Sequence, residues 1–198
     1  MNTPKLILLI SILLLSACHQ RKEASPADSE LSPINWQLIT TESQLSFITT
    51  KNKNITEEHS IQFSSGYINN EKQLVIKTDL TTVNTNIEIR DQRLRDLLFE
   101  VDQFPLATIS TQLEQHLPLT EPFTIEFELD LHGIKQNMSA EVMIQSIGDK
   151  LVVTNYEPVL VNGKDFALDD AINQLTKIAS LQSIDYSVLV DFKLTFEK

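Results

Sequence analysis

Residues 124–131 read Thr-Ile-Glu-Phe-Glu-Leu-Asp-Leu, so that Ile125, Phe127, Leu129 and Leu131 alternate with Glu126, Glu128 and Asp130. Successive side chains of a strand point to opposite faces, and this segment therefore forms a strand with one apolar face and one charged face. The two-residue period recurs in Met138, Ala140, Val142 and Ile144, in Leu74, Ile76 and Leu80, and in Val188, Val190, Phe192, Leu194 and Phe196. Weaker strands are predicted near 44–50, 60–68, 106–113 and 151–161. Turn-forming runs at Asn69–Lys72, His132–Lys135 and Gly148–Lys150 separate them and imply hairpins, hence antiparallel neighbours. Open sheet edges template aggregation and closure removes them, so the expected fold is mainly β, an antiparallel barrel of about eight strands.

Two segments leave this period. After Asn84-Thr85-Asn86, a plausible N-cap region, Leu94, Leu97, Leu98 and Val101 fall at helical spacing, with Arg90, Asp91, Arg93, Arg95 and Asp96 on the other faces. Phe104-Pro105 stops that helix. A second stripe of Ile172, Leu175, Ile178, Ala179 and Leu181 follows Asp169-Asp170, whose charges favour a helix start. Both amphipathic helices are expected to lie on the sheet or cap the barrel ends. The charges of Arg90 and Asp91 are expected to orient the first helix through hydrogen bonds, the alternative being a solvated pair.

The N-terminus carries one positive charge at Lys5, an apolar run from Leu6 to Leu15, then Ser16 and Ala17, the plan of a secretory signal. The run is too short to cross a hydrocarbon core, which takes about 20 residues as a helix. Leu15-Ser16-Ala17-Cys18 resembles a bacterial lipobox, which implies that residues 1–17 are removed and that the Cys18 thiol, the only one in the chain, receives a diacylglycerol. An ordinary signal peptide with a chance cysteine is the alternative. Buried acyl chains, at about 0.8 kcal/mol per methylene, would hold the protein on a membrane. Polar His19 and Gln20 follow Cys18 with no Asp, which by resemblance to Gram-negative lipoproteins implies the outer membrane, facing the periplasm. Residues 18–33, polar and with two prolines, read as the lipidated cysteine and a flexible tether, and residues 34–198 as one domain.

A formal net charge of −11 disfavours nucleic acid and offers no basic patch to anionic lipid surfaces. With no cysteine after Cys18 there is no disulfide, and the core alone must stabilise the fold. The four histidines, His19, His59, His116 and His132, show no metal-ligand spacing, and His132 belongs to a hairpin turn. No nucleophile elbow, phosphate loop or dinucleotide fingerprint is present, so no catalytic residue, metal or enzymatic cofactor is expected. The acidic pairs Glu57-Glu58 and Asp169-Asp170 read as solvated or helix-starting rather than as a glycosidase pair.

All nine phenylalanines lie between Phe47 and Phe196, and those on strands mostly share a face with aliphatic residues. An eight-stranded barrel has an interior just wide enough to be plugged by side chains or to hold one apolar ligand, and the pattern leaves both open.

A resemblance bears on that choice. Trp36 to Phe47, then Val83-Asn-Thr-Asn-Ile-Glu-Ile-Arg90-Asp91-Gln-Arg-Leu94, then Leu98-Phe99 leading to Phe104-Pro105-Leu-Ala-Thr-Ile109, resemble the YceI-like family of bacterial polyisoprenoid-binding proteins. Leu131-His-Gly-Ile-Lys135 and Ser183 to Phe196 fit as well, so the likeness spans residues 35–198. It implies a lipocalin-like antiparallel barrel of a family some of whose members hold a long isoprenoid chain, so that this chain is expected to bind an isoprenoid or related lipid; the want of a nucleophile and base makes an enzyme the weaker expectation. Where the family often has a small residue and His after Arg-Asp, this chain has Gln92 and Arg93, and Lys51 to Glu58 replaces a glycine-containing loop. The lipid-lining positions expected from parity are Phe47, Phe63, Ile76, Ile125, Phe127, Leu129, Val142, Phe192 and Phe196, with Leu97, Phe99 and Phe166 near the barrel ends. The rival expectation is an accessory or stress-related lipoprotein with a packed, ligand-free barrel.

Overall fold

The computed structural model describes residues 36–114, 117–119 and 121–198; Cys18, the tether and His116 fall outside them. Its strands are β1 (Trp36–Leu38), β2 (Gln44–Lys51), β3 (Ile55–Ile68), β4 (Gln73–Asn84), β5 (Leu106–Gln112), β6 (Phe123–Leu131), β7 (Ile134–Ile147), β8 (Lys150–Asn155), β9 (Val159–Asn162) and β10 (Ser187–Glu197). Helix α1 (Glu88–Arg93) lies between β4 and β5, and α2 (Asp169–Ile178) between β9 and β10. From β2 to β8 each strand pairs antiparallel with the next, and β10 pairs with both β2 and β8. Eight strands, β2 to β8 and β10, thus close into a ring, with β9 paired to β10 alone.

Two of the ring's strands are interrupted. Ser187 to Val190 of β10 pair with β9, whereas Lys193 to Glu197 pair with β8. The break falls at Tyr156–Pro158, because Pro158 has no N–H to give to a ladder. The Asn155 amide fills the gap: Phe192 N donates to its Oδ1 at 2.7 Å, and its Nδ2 donates to Asp191 Oδ1 at 2.8 Å. On the other side of β10, β1 and β2 meet at a 3₁₀ turn, where Thr195 N donates to Ser43 Oγ at 3.0 Å.

The chain enters β1 at the end of the ring holding the β3–β4 and β7–β8 hairpins, since Trp36 pairs with Ile68 and Gln37 with Glu197. The β2–β3 and β6–β7 hairpins and both helices gather at the opposite end. There α1 continues into a single π-helical turn, Leu94–Leu98, closed by Phe99 N donating to Leu94 O at 2.9 Å. The first helix is therefore shorter and wider than its 3.6-residue stripe predicts. Its N-cap also differs from expectation: Ile87 occupies that position with no side-chain cap, and Asn86, at φ 61, belongs to the preceding turn. Strand β3 starts at Ile55 rather than near Ser60, because Asn52 and Lys53, at φ 50 and 72, make a tight hairpin that pairs β2 and β3 from Lys51 and Ile55 onward. His132 and Gly133, at φ 55 and 75, form the corresponding turn between β6 and β7, and a Cβ on Gly133 would meet Phe104 Cε1 at 2.9 Å.

Core packing occurs in layers along the ring. Leu38, Phe63, Leu74, Ile76, Leu194 and Phe196 cluster at the end where β1 enters. Ile61, Leu80, Val83, Phe99, Phe166, Leu168 and Ile172 cluster under the helices. Phe196 and Phe166 are each 1% exposed, and burying such a side chain stabilises by about 1.5–3 kcal/mol.

Candidate functional site

Inward parity does not fill the ring. A cavity of about 570 Å³ runs through it, within the roughly 300–1,000 Å³ range of pockets that enclose one small ligand. Its wall takes Leu74 and Ile76 from β4, Ile125, Phe127 and Leu129 from β6, Met138, Ala140, Val142 and Ile144 from β7, and Val188, Val190, Phe192, Leu194 and Phe196 from β10. These are the alternating residues of the clearest predicted strands.

Of the positions expected to line the interior, Phe47, Phe63, Ile76, Phe99, Ile125, Phe127, Leu129, Val142, Phe192 and Phe196 stand on this wall, and Leu97 and Phe166 do not. The π turn explains Leu97: a wider turn rotates the stripe, so Leu94 and Leu98 face the cavity and Leu97 does not. Phe166 ends a 3₁₀ turn, Gly163–Phe166, and is spent in the core beneath α2.

Polarity is graded along the cavity. On the β2–β3 wall the inward column of β2 reads Leu45, Phe47, Thr49, Lys51, and that of β3 reads Phe63, Ile61, His59, Glu57. Apolar residues lie toward the end where β1 enters, and polar residues toward the helix-bearing end. There Glu57 Oε2 accepts from Lys51 Nζ at 2.7 Å and from Arg90 Nη1 at 2.9 Å. The hydrogen bond from Lys51 holds the Glu57 carboxyl below its ordinary range, against the opposing effect of burial.

Arg90 and Asp91 are bound into the fold. Asp91, 5% exposed, accepts from Thr85 N at 2.8 Å and from Thr85 Oγ1. Arg90 Nε donates to Thr85 Oγ1, and Nη2 to Thr85 O, each at 2.8 Å. The pair therefore locks the β4–α1 turn and ties it through Glu57 to β3.

His59 lies one layer below Glu57. It is 6% exposed, edge-on to Phe47 with centroids 5.3 Å apart, and hydrogen-bonded through Nε2 to Thr49 Oγ1 at 3.1 Å. Its Nδ1 has no hydrogen-bond partner among the described residues. Burial, and after it the charge of Arg90, pulls its pKa below the usual histidine value, so the ring is neutral near pH 7. Arg93 also lines the cavity, half-buried, and makes no hydrogen bond or ion pair among the described residues. Sequence reasoning missed His59, Lys51 and Glu57 as wall residues, although parity held the signal: each stands an even number of residues from Ile61, Phe63 or Phe47 on a strand. Among the described residues, no cluster of three or more His, Cys, Asp or Glu side chains is placed to hold a metal ion.

A model of the YceI-like domain matches residues 36–196. A polyisoprenoid-binding domain from Saccharophagus degradans, implicated in plant cell wall breakdown, superposes with a TM-score of 0.76 at 30% identity, over 82% of this chain and 97% of that one. BcnA of Burkholderia cenocepacia superposes with a TM-score of 0.60 at 12% identity, over 80% and 98%. A YCEI protein of Campylobacter jejuni gives 0.51 at 18% identity, over 64% and 73%. The last two likenesses speak to fold alone. No curated protein matches the chain.

Proposed function

The chain belongs to the YceI-like family, and from that premise we propose that its barrel binds the chain of an isoprenoid or related lipid, without catalysing a reaction on it. The observation that carries this reading is the cavity of about 570 Å³ with phenylalanine and aliphatic walls. Water gains little from such a space, whereas an apolar chain entering it leaves water at about 25 cal/mol per Å² of surface removed. The Saccharophagus degradans domain, described as polyisoprenoid-binding, supports the choice of ligand class. A packed, ligand-free barrel, the rival expectation, has no use for the open volume.

The setting we propose is a lipoprotein anchored through Cys18 in the outer membrane and facing the periplasm, a reading supported by the lipobox-like Leu15-Ser16-Ala17-Cys18. In that setting a non-enzymatic carrier or reservoir of lipid shields its cargo from the aqueous space.

Titration of the delipidated protein with a fluorescent prenol, followed by displacement with unlabelled geranylgeraniol, tests the binding reading. Saturable, competable uptake of about one prenol per chain is expected, and no saturable uptake would overturn it. For the anchor, Cys18→Ser is expected to abolish labelling by a palmitate analogue and to move the protein to the soluble fraction. Retention of that variant on membranes would overturn this part alone.

A further inference from the structure

Outside the barrel cavity the described residues form a second recess, of about 480 Å³. Its wall is made by Asn162 at the end of β9, Lys164 of the 3₁₀ turn that follows, Asn173 and Thr176 of α2, and the 182–187 segment that leads into β10. Asn162 and Ser187 are cross-strand partners one step out of the inward parity of Val161 and Val188, so both side chains point away from the barrel interior. The 184–186 segment borders both spaces, which sets the recess one chain's thickness from the barrel cavity.

The two spaces differ in chemistry. The recess is lined by hydrogen-bonding groups, and several are unspent. Asn162 Oδ1 accepts from Lys164 N at 3.1 Å and Asn173 Oδ1 accepts from Tyr186 Oη at 2.8 Å, which leaves both Nδ2 groups free to donate. The side chains of Gln182 and Ser187 form no hydrogen bond among the described residues. Ser183 Oγ is buried in the wall, also without a partner among them, so turning its hydroxyl outward breaks no bond. Formal charge is balanced, Lys164 against Asp185, and Lys164 Nζ is already engaged 4.2 Å above the Tyr186 ring.

Such a wall is selective by charge and by hydrogen bonding. An anion would meet one engaged cation beside a carboxylate, and a cation would meet that carboxylate alone. An apolar chain would strand the amides of Asn162, Asn173 and Gln182. What satisfies mixed donors and acceptors without charge is a ligand whose every polar group both donates and accepts, and a hydroxyl is such a group. We propose that this recess binds a neutral sugar unit, its hydroxyls on the unspent amides and serines and its C–H surface against Tyr186 and Ile184. The volume lies within the roughly 300–1,000 Å³ range of pockets that take one small ligand. This site is separate from the lipid-binding reading of the barrel and does not depend on it.

The test is titration of the isotope-labelled protein with glucose, cellotriose, chitotriose and the acidic trigalacturonate, followed through its backbone amide resonances. Saturable shifts confined to residues 162–164, 173–176 and 182–187 are expected with at least one neutral trisaccharide, at a Kd of about 1 mM or below. Trigalacturonate is expected to bind at least about tenfold more weakly. Glucose binding as well as cellotriose would assign a free sugar, and tighter binding of a trisaccharide a glycan chain. The double variant Gln182→Ala, Ser187→Ala breaks no side-chain hydrogen bond of the fold, so it is expected to weaken the neutral sugar at least about tenfold with Tm and prenol uptake unchanged. No saturable shift with either neutral trisaccharide up to about 20 mM, shifts centred elsewhere, or affinity undiminished in the double variant would overturn the inference. Trigalacturonate binding as tightly as the neutral sugars would also overturn it, as would loss of prenol uptake in the variant, which would trace the effect to the barrel.

Discussion

Asp91 shows how one buried carboxylate organises its surroundings. Both Thr85 donors end on it, and Arg90 wraps the same threonine from the other side. Removing one partner strands buried donors, which costs about 1–3 kcal/mol each, with bonds to charged groups at the upper end. Asp91→Ala is expected to lower the unfolding free energy in urea by about 2–4 kcal/mol, and a loss under about 0.5 kcal/mol, typical of a solvated surface residue, would contradict the structural role. His59 makes a pH argument. Its folded pKa lies below the ordinary 6.5, so the unfolded chain binds the proton more readily, and the stability gained from the neutral ring is complete above pH 6.5 and lost as pH falls through the folded value. Glu57 acts in the same direction, starting lower, below its ordinary 4.5. Denaturant midpoints are expected to fall for the parent from about pH 6.5 downward and to stay flat for His59→Gln until the carboxylate range. Parallel pH profiles for the two proteins would contradict the assignment.

At the scale of elements, strands with strict alternation were legible because both faces of the pattern are enforced: β6, β7 and β10 place every predicted inward residue on the cavity wall. Less was legible where a side chain does a strand's or a helix's backbone work. The segment predicted as one strand over 151–161 is two, β8 and β9, because Pro158 breaks the ladder and Asn155 repairs it from its side chain. Nothing in the spacing of residues announces such a repair. Asn155→Ala is expected to destabilise the fold by about 1–3 kcal/mol, since Phe192 N loses its acceptor, whereas an unchanged melting curve would show the gap to be filled otherwise. The π turn is a second case. A stripe at helical period cannot tell 3.6 from a wider turn, so of Leu94, Leu97 and Leu98, all on the expected apolar face, only Leu94 and Leu98 line the cavity. The polar stretch of β2 and β3 was missed for a third reason: Lys51, Thr49, Glu57 and His59 are inward yet polar, and hydropathy alternation is blind to polar residues that line a cavity mouth.

For the whole molecule, closure of eight strands is a consequence of antiparallel hairpins without a tolerable free edge, and the ring leaves an apolar space that side chains do not fill. Whether that interior was plugged or open could not be read from the sequence, because the same inward phenylalanines serve either outcome and only their three-dimensional spacing decides. Ala107 stands on the cavity wall and is only partly buried. If the space is real, Ala107→Phe is accommodated with little loss of stability while lipid uptake drops several-fold, whereas overpacking of a filled core would cost about 1–3 kcal/mol. Chain entry at Trp36 lies at the end opposite the polar mouth. Whether this barrel holds a lipid is read by organic extraction and mass spectrometry of the protein purified gently from its own host. About one prenyl lipid per chain is expected; protein free of lipid that also fails to take up added prenol would contradict lipid binding.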